Sequence, residues 1–343
     1  MQDKITLGHG AGGSLSGRLI RNTILKYFRD PVLRRLEDSA AVLIRNEILT
    51  GEFRGLKMAF TTDSYVIDPI FFPGGDIGKL AVCGTVNDLA MKGAVPKYIS
   101  LALIIEEGFA FTDLEKILRS AAATAKKARV SVVCGDTKVV DKGKADKIFI
   151  NTSGIGIIKA ELGREKIKAG DKILINGTIG DHGIAVMNAR LRLGLRSRMA
   201  SDTAPLNLIT KRLFAGKTGP HVHFMRDPTR GGVVSVLHEA LEGSSLGIRL
   251  DERSLPISPE VRGACEILGL DPLYVANEGK LLAFIDPRYA GQALKVLRSH
   301  ALGKKAAMIG EVVSKPRGVW MQTNIGGTRP LLQLETEGLP RIC

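Results

Sequence analysis

The sequence predicts an α+β protein of two domains built on mixed sheets, and three observations predict it. Strand-like and helical apolar patterns alternate along the chain, yet several strand-like runs follow one another as hairpin-like pairs, which mixes strand directions. The chain has 343 residues, enough for two cores rather than one. A charged stretch, Lys159 to Asp171, divides the chain into halves. The expected organisation is a Gly-rich segment and helix over 1–30, a first domain over 31–160, a second over 161–335 and a tail over 336–343.

Each element has a local signal. Gly8 to Gly13 reads as a loop, and Leu15, Leu19, Ile20, Ile24 and Leu25 after it give a helical apolar face. Ala40 to Ile44 and Lys57 to Ile67 read as strands, Ile77 to Met91 as a helix, and Tyr98 to Ile105 as a buried strand. A helix over Leu114 to Ala128 then leads to a strand over Val130 to Cys134, and Lys147 to Ile158 closes the first half. In the second half, strands are expected at Lys172 to Asn176, Lys280 to Ile285 and Met308 to Val313. Helices are expected at Ile184 to Leu193, Val233 to Leu241 and Gly291 to Ser299. The tail, Thr336 to Cys343, has no place in either core, and Gly338 and Pro340 resist regular structure.

Composition narrows the class. With 44% hydrophobic and 24% charged residues the chain is globular rather than disordered. The N-terminus has no apolar signal region, and no apolar run is long enough to span a bilayer, so a cytoplasmic protein is expected. Lys plus Arg exceed Asp plus Glu by 49 to 35, and a net charge of +14 favours anionic partners without choosing among them. Aromatics at 5% weaken a single-strand nucleic-acid reading, and no helix-turn-helix, RNP or zinc motif supports one. Four separated cysteines form no Cys-x-x-Cys pair; Cys83, Cys134 and Cys265 read as small hydrophobes, whereas Cys343 stands on the tail.

The residues that suit chemistry are mostly carboxylates beside apolar runs: Asp38, Asp63, Asp88, Asp136 and Asp227. A charge there is costly unless paired or bound to a cation, and converging aspartates suit Mg²⁺ with phosphate. Taken singly, each is also a plausible turn or helix cap. Asn87 and Asp88 stand out because they interrupt an apolar helix; an i,i+4 pair of Asp88 with Lys92 is the bland alternative. Asp136-Thr137-Lys138 follows a strand, where Lys138 is either a phosphate-holding charge or a solvated lysine. Asp227-Pro228-Thr229-Arg230-Gly231-Gly232 combines a carboxylate, a guanidinium and a helix start. Glu278 suits general acid or base work, against a plain turn. His9 and His182 lie in Gly-rich loops, as phosphate contacts or loop caps; His221 and His223 read as structural. Eight extended tail residues reach roughly 26 Å, far enough for Cys343 to act as a covalent carrier.

Gly8–Gly13, Thr61–Ser64, Val86–Ala94, Gly135–Lys138, Asp227–Gly232 and Asn277–Lys280 occur in the order found in the PurM-like ATP-binding superfamily, and this resemblance covers essentially the whole chain. The ending Pro340-Arg341-Ile342-Cys343 resembles the C-terminal signature of that superfamily's hydrogenase-maturation members. The resemblance implies a homodimer whose first domains share a β-barrel-like interface, with ATP near it and a flexible C-terminal tail. It places Gly10, Gly12, Asp38, Asp63, Asn87, Asp88, Asp136, Thr137, Asp227 and Arg230 at ATP, with Asp38, Asp63, Asp88 and Asp227 at Mg²⁺. It gives Lys138 the transferring phosphoryl or amide oxygen, Glu278 the carboxamide nitrogen, Cys343 the carbamoyl group and Arg341 a guiding charge. The implied reaction dehydrates an S-carboxamide on Cys343 to a thiocyanate. The implied partners are a carbamoyltransferase, HypF, and a HypC–HypD complex that receives cyanide for the [NiFe] hydrogenase iron. A sibling synthetase or kinase acting on a small substrate is the near alternative; a basic nucleic-acid binder is the distant one.

Overall fold

A computed structural model describes residues 13–27, 33–37, 39–43, 57–192, 199–335, 339 and 341–343. Asp38, His9, Gly10 and Gly12 lie outside the described residues. The described N-terminal segment is helical as expected: α1 (Gly13–Leu19) runs through a π turn (Ile20–Ile24) into α2 (Leu25–Tyr27).

The first domain contains β1 (Ala40–Leu43), β2 (Lys57–Tyr65), a small hairpin of β3 (Phe71–Phe72) and β4 (Gly75–Asp76), then β5 (Ala94–Glu106), β6 (Ser131–Val140) and β7 (Ile148–Ile158). Its mixed sheet has the order β1-β2-β7-β5-β6, with β5 and β6 parallel and the other pairs antiparallel. The helix α3 (Ile77–Met91) packs on this sheet. It is apolar nearly all round and buried accordingly. Asp76 caps it, accepting from the amides of Gly78 at 2.8 Å and Lys79 at 3.0 Å. An amphipathic α4 (Phe111–Ala128) covers α3 with Ile117, Ala121 and Ala125 inward.

The chain then crosses to a seven-stranded sheet. The stretch between is not a loose tether, since Leu162 and Ile167 are buried. The second domain holds β8 (Lys172–Ile175), α5 (Asp181–Leu191), α6 (Asn207–Phe214), β9 (Val222–Arg226), α7 (Gly232–Ala240), β10 (Gly247–Asp251) and α8 (Pro259–Leu268). After these come β11 (Leu282–Ile285), α9 (Pro287–Arg298), β12 (Ala307–Val313), β13 (Gly318–Gln322) and β14 (Thr328–Pro330). The order is β14-β13-β10-β12-β8-β11-β9, again mixed because β10 and β13 run parallel. One core cluster joins the domains: Tyr65, Ile67, Phe72 and Ile77 of the first pack with Ile184, Val261 and Val275 of the second. Among the described residues no helix is long and apolar enough to cross a membrane.

Four expectations need correction. The strand over Val130 to Cys134 continues to Val140, because β5 pairs with it through Glu106↔Val140; Asp136-Thr137-Lys138 is therefore inside a strand. Cys134 is exposed rather than packed, since β6 is a sheet edge. Tyr98 and Ile104 of β5 are exposed, on the side that α3 leaves open. The tail is not outside the cores: Leu339 and Ile342 are buried in the cluster that joins the domains.

Candidate active site

The end of β2 carries Asp63 and Tyr65, and α3 lies beside it with Asp88 facing the strand. Thr61 Oγ1 donates to Asp88 Oδ2 at 2.8 Å. Lys92, the i,i+4 neighbour of Asp88, pairs with Glu37. Close approach of β2 to α3 depends on Gly84, where a Cβ would overlap the Tyr65 hydroxyl.

Two loops of the second domain complete the cluster. Asp227 is buried in the first, which ends where Gly231 and Gly232 adopt positive φ to start α7. A side chain at Gly232 would meet the Leu273 carbonyl at 2.6 Å, so the turn and the opposite chain touch backbone to backbone. The second loop carries Asn277 and Glu278. The Asn277 amide and side chain both donate to the Pro228 carbonyl, at 3.0 and 3.1 Å, which pins the loops together.

Electrostatics tie these groups into one site. Burial pushes the Glu278 carboxyl well up, and Asp227, Asp202 and Asp63 push it further while Arg230 opposes them. Burial also raises Asp63, against the pull of Arg230. The Tyr65 hydroxyl is raised by burial and by the charges of Asp63, Asp88 and Glu278. Glu278 Oε1 is buried with no hydrogen-bond partner among the described residues. Buried carboxylates that raise one another's pKa fit a cation and suit acid–base chemistry. Among the described residues no group of three ligand-type side chains is close enough to hold a metal alone. Mg²⁺ fits such an incomplete set, since it takes one or two carboxylates and completes its shell with phosphate and water oxygens.

Other expected site residues stand elsewhere. Asn87 is fully buried and bonded to backbone: its Nδ2 donates to the carbonyls of Ala204 and Glu278, each at 3.2 Å, and its Oδ1 accepts from Leu206 N at 2.8 Å. It braces the two domains and has no free donor for a nucleotide. Asp136 and Lys138 pair with each other at 2.7 Å on the exposed edge strand. With β7 and β5 between β2 and β6, they lie roughly 14 Å across the sheet from Asp63. Lys138 holds the Asp136 carboxyl below its ordinary range, helped by the Thr137 amide. Thr137 side by side with them is exposed as well.

Sequence reasoning missed Asp202. Its side chain is buried, accepts from the amides of Glu278 and Gly279 at 3.1 Å each, and pairs with the buried Lys280 at 2.7 Å. Lys280 also reaches Asp181 at 3.6 Å. This network fixes the loop that presents Glu278, and its sequence signal is faint because Asp202 sits in an aperiodic polar segment.

The end of the chain docks beside the cluster. Val66 N donates to Cys343 O at 3.2 Å and Asp68 N to Arg341 O at 3.3 Å, so the tail extends the edge that follows β2. Three residue steps of extended chain lead from Asp63 to Val66, about 10 Å of backbone. Arg341 donates through Nε to Val66 O at 3.0 Å and pairs with Asp146 at 2.6 Å. Arg190 clasps both chains, donating to Asp68 O at 2.7 Å and to Arg341 O at 2.6 Å. His182 Nε2 lies 2.7 Å from Ile342 O. Cys343 is half-buried against the joining cluster.

Known proteins share this arrangement. Residues 37–158 match the AIR synthase related protein, N-terminal domain, and residues 168–321 match its C-terminal domain. The carbamoyl dehydratase HypE of Escherichia coli (strain K12) is 46% identical over 343 residues, covering 99% of this chain and 100% of that one. The structure is similar to HypE in a HypE–HypF complex, with a TM-score of 0.85, 45% identity, and coverage of 92% of this chain and 99% of that one. It is also similar to a hydrogenase maturation protein HypE in complex with ATP, with a TM-score of 0.81, 43% identity, and coverage of 99% and 100%. A PurM-like fold, a carboxylate cluster between its domains and near full-length identity of this size place the chain in the HypE carbamoyl dehydratase family, among the AIR synthase related proteins.

Proposed function

We propose that this chain uses ATP to dehydrate an S-carboxamide on its own Cys343 to a thiocyanate. The observation that supports the reading is the docked tail, whose Cys343 carbonyl accepts from Val66 N just past the end of β2, about 10 Å of backbone from Asp63. The amide oxygen of a carboxamide is a poor leaving group. Attack by that oxygen on the γ-phosphorus of ATP forms a P–O bond and releases ADP. Loss of two N–H protons, with cleavage of the C–O bond to release phosphate, then forms C≡N. Glu278 would take a proton, since burial among carboxylates makes its ionised form a strong base. Asp63, Asp88 and Asp227, with Asp38 outside the described residues, are the carboxylates from which one or two would hold each Mg²⁺ together with phosphate and water oxygens; the metal would neutralise phosphate charge. Arg230 supplies a further positive charge toward the same carboxylates.

Lys138 reaches such a site only across a dimer. The open face of the first sheet exposes a row of Phe60, Ile155 and Tyr98 in register, and β6 adds an unpaired edge with Val133 and Val139 exposed. An edge strand and an apolar face of this kind favour a second copy. In that homodimer, Lys138 and Asp136 of each chain would serve the partner's cluster. Mixing Lys138→Ala and Glu278→Gln proteins tests this: each alone is expected to lose activity, and random two-fold dimers should regain about a quarter of it. No recovery from verified mixed dimers would place both residues in the same chain's site.

The proposed partners are HypF, which would load Cys343, and a HypC–HypD complex, which would take the cyanide; the cytoplasm is the proposed location. Intact mass during incubation with HypF, carbamoyl phosphate and Mg-ATP tests the function. One carbamoyl group should appear and then lose one water. ATP consumed on a small substrate with no change in protein mass would favour a sibling synthetase or kinase.

A further inference from the structure

The tail's last peptide is gripped by a side chain that the reaction as written does not use. His182 is fully buried at the start of α5. Its Nε2 lies 2.7 Å from the Ile342 carbonyl, and its Nδ1 lies 2.7 Å from Ser201 Oγ. A carbonyl oxygen only accepts, so Nε2 carries the proton and Nδ1 accepts from the Ser201 hydroxyl. The surroundings support that tautomer. Thr203 N donates to Ser201 Oγ at 3.1 Å, and the Thr203 hydroxyl lies 2.6 Å from it, free to donate while Ser201 donates to the ring. The Phe72 ring meets the imidazole edge-on at 5.5 Å and fixes its plane. Burial holds the imidazole below its ordinary pKa and so neutral.

The Ile342 carbonyl belongs to the peptide that carries Cys343. Fixing that peptide plane fixes where the Cys343 side chain starts. The same short segment also serves Glu278: Ser201 orients His182, and the adjacent Asp202 accepts from the Glu278 amide. The two groups that must meet, the carrier and the proposed base, are therefore held by neighbouring residues.

We propose that His182, oriented by Ser201, is a positioning residue that holds the Ile342–Cys343 peptide in the docked, reactive place, and that it acts on dehydration but not on loading. The proposal rests on the dehydratase reading. Loading by another protein requires Cys343 to be reachable from outside, whereas water loss requires it at the cluster. Loosening the grip therefore separates the two steps, while a merely structural role would slow both.

The test follows intact mass over time for the full-length protein with HypF, carbamoyl phosphate and Mg-ATP. For His182→Phe, loading is expected at the wild-type rate or faster, with water loss slowed about tenfold or more, the worth of one lost hydrogen bond. His182→Gln, whose Nε2 can still donate to the carbonyl, should recover water loss to within about threefold. Ser201→Ala keeps the ring but frees its tautomer and should show the same split more weakly, which keeps the test decisive if the Phe variant does not fold. Water loss at the wild-type rate in His182→Phe and Ser201→Ala would overturn the proposal. So would a parallel fall in both steps, or a Gln variant no better than Phe. If wild type itself is never loaded, or is loaded and never loses water, the dehydratase reading fails first.

Discussion

Replacing Glu278 by Gln is expected to slow water loss from the loaded tail by about 10²- to 10⁴-fold, the usual range for a lost general base, and to make the folded protein more stable. Both effects come from one feature. Glu278 is buried among Asp227, Asp202 and Asp63, with Oε1 unpartnered among the described residues, and its pKa is raised well above 4.5. A group raised in the folded state contributes fully below its unfolded pKa and loses that contribution as pH rises through the folded value. The variant does not titrate. Its stability advantage is therefore absent below pH 4.5, opens as pH rises, and reaches about 1–3 kcal/mol once Glu278 would be ionised. Thermal denaturation at several pH values, with single-turnover water loss on the same preparations, measures both. A variant that is less stable than wild type at every pH, or that keeps its activity, would remove Glu278 from the base role.

How legible this was in the sequence depended on whether a feature is local. The helix Ile77–Met91 could be read to the residue, because a long apolar run bounded by a capping Asp76 has few alternatives. Asp88 was visible as a carboxylate inside that run. Its neighbour Asn87 was wrongly grouped with it: adjacent helical residues point about 100° apart, so Asn87 faces the second domain while Asp88 faces Thr61. The strands β9, β10 and β13 were missed, whereas the shorter β8 and β11 were read because they are nearly continuous apolar runs. Tyr65 read as one more strand residue, and His182 as a loop residue. Their roles arise from α3 and the tail, which are distant in sequence. The docking of Leu339 and Ile342 could not be read from a segment containing Gly338 and Pro340 either, because its partners come from both domains. The position of Lys138 on an edge strand is a further case, since the role proposed for it needs a second chain that the sequence of one does not display.

The substitution Cys343→Ala is expected to abolish both the carbamoyl adduct and the water loss that follows it, while ATP binding and the fold persist. The fold should persist because the tail adds little net stability. Burying Leu339 and Ile342 contributes about 3–6 kcal/mol, and ordering the four described tail residues costs about 4–8 kcal/mol. The backbone and arginine hydrogen bonds, at about 1 kcal/mol each, tip that near balance toward docking. A tail held by so small a margin can leave for loading and return for chemistry. Cys343 packs against the joining cluster, and alanine keeps the apolar contact and the backbone bonds that hold the tail, so it should dock much as cysteine does. Cys343→Ser is the sharper variant, because it keeps the shape and replaces a thiolate-forming nucleophile with a hydroxyl that stays protonated near neutral pH. It should bind ATP and dock yet take no carbamoyl group. Intact mass and nucleotide-dependent thermal shift on the two variants read chemistry and binding separately. An adduct of equal size on either variant would move the carrier to another residue.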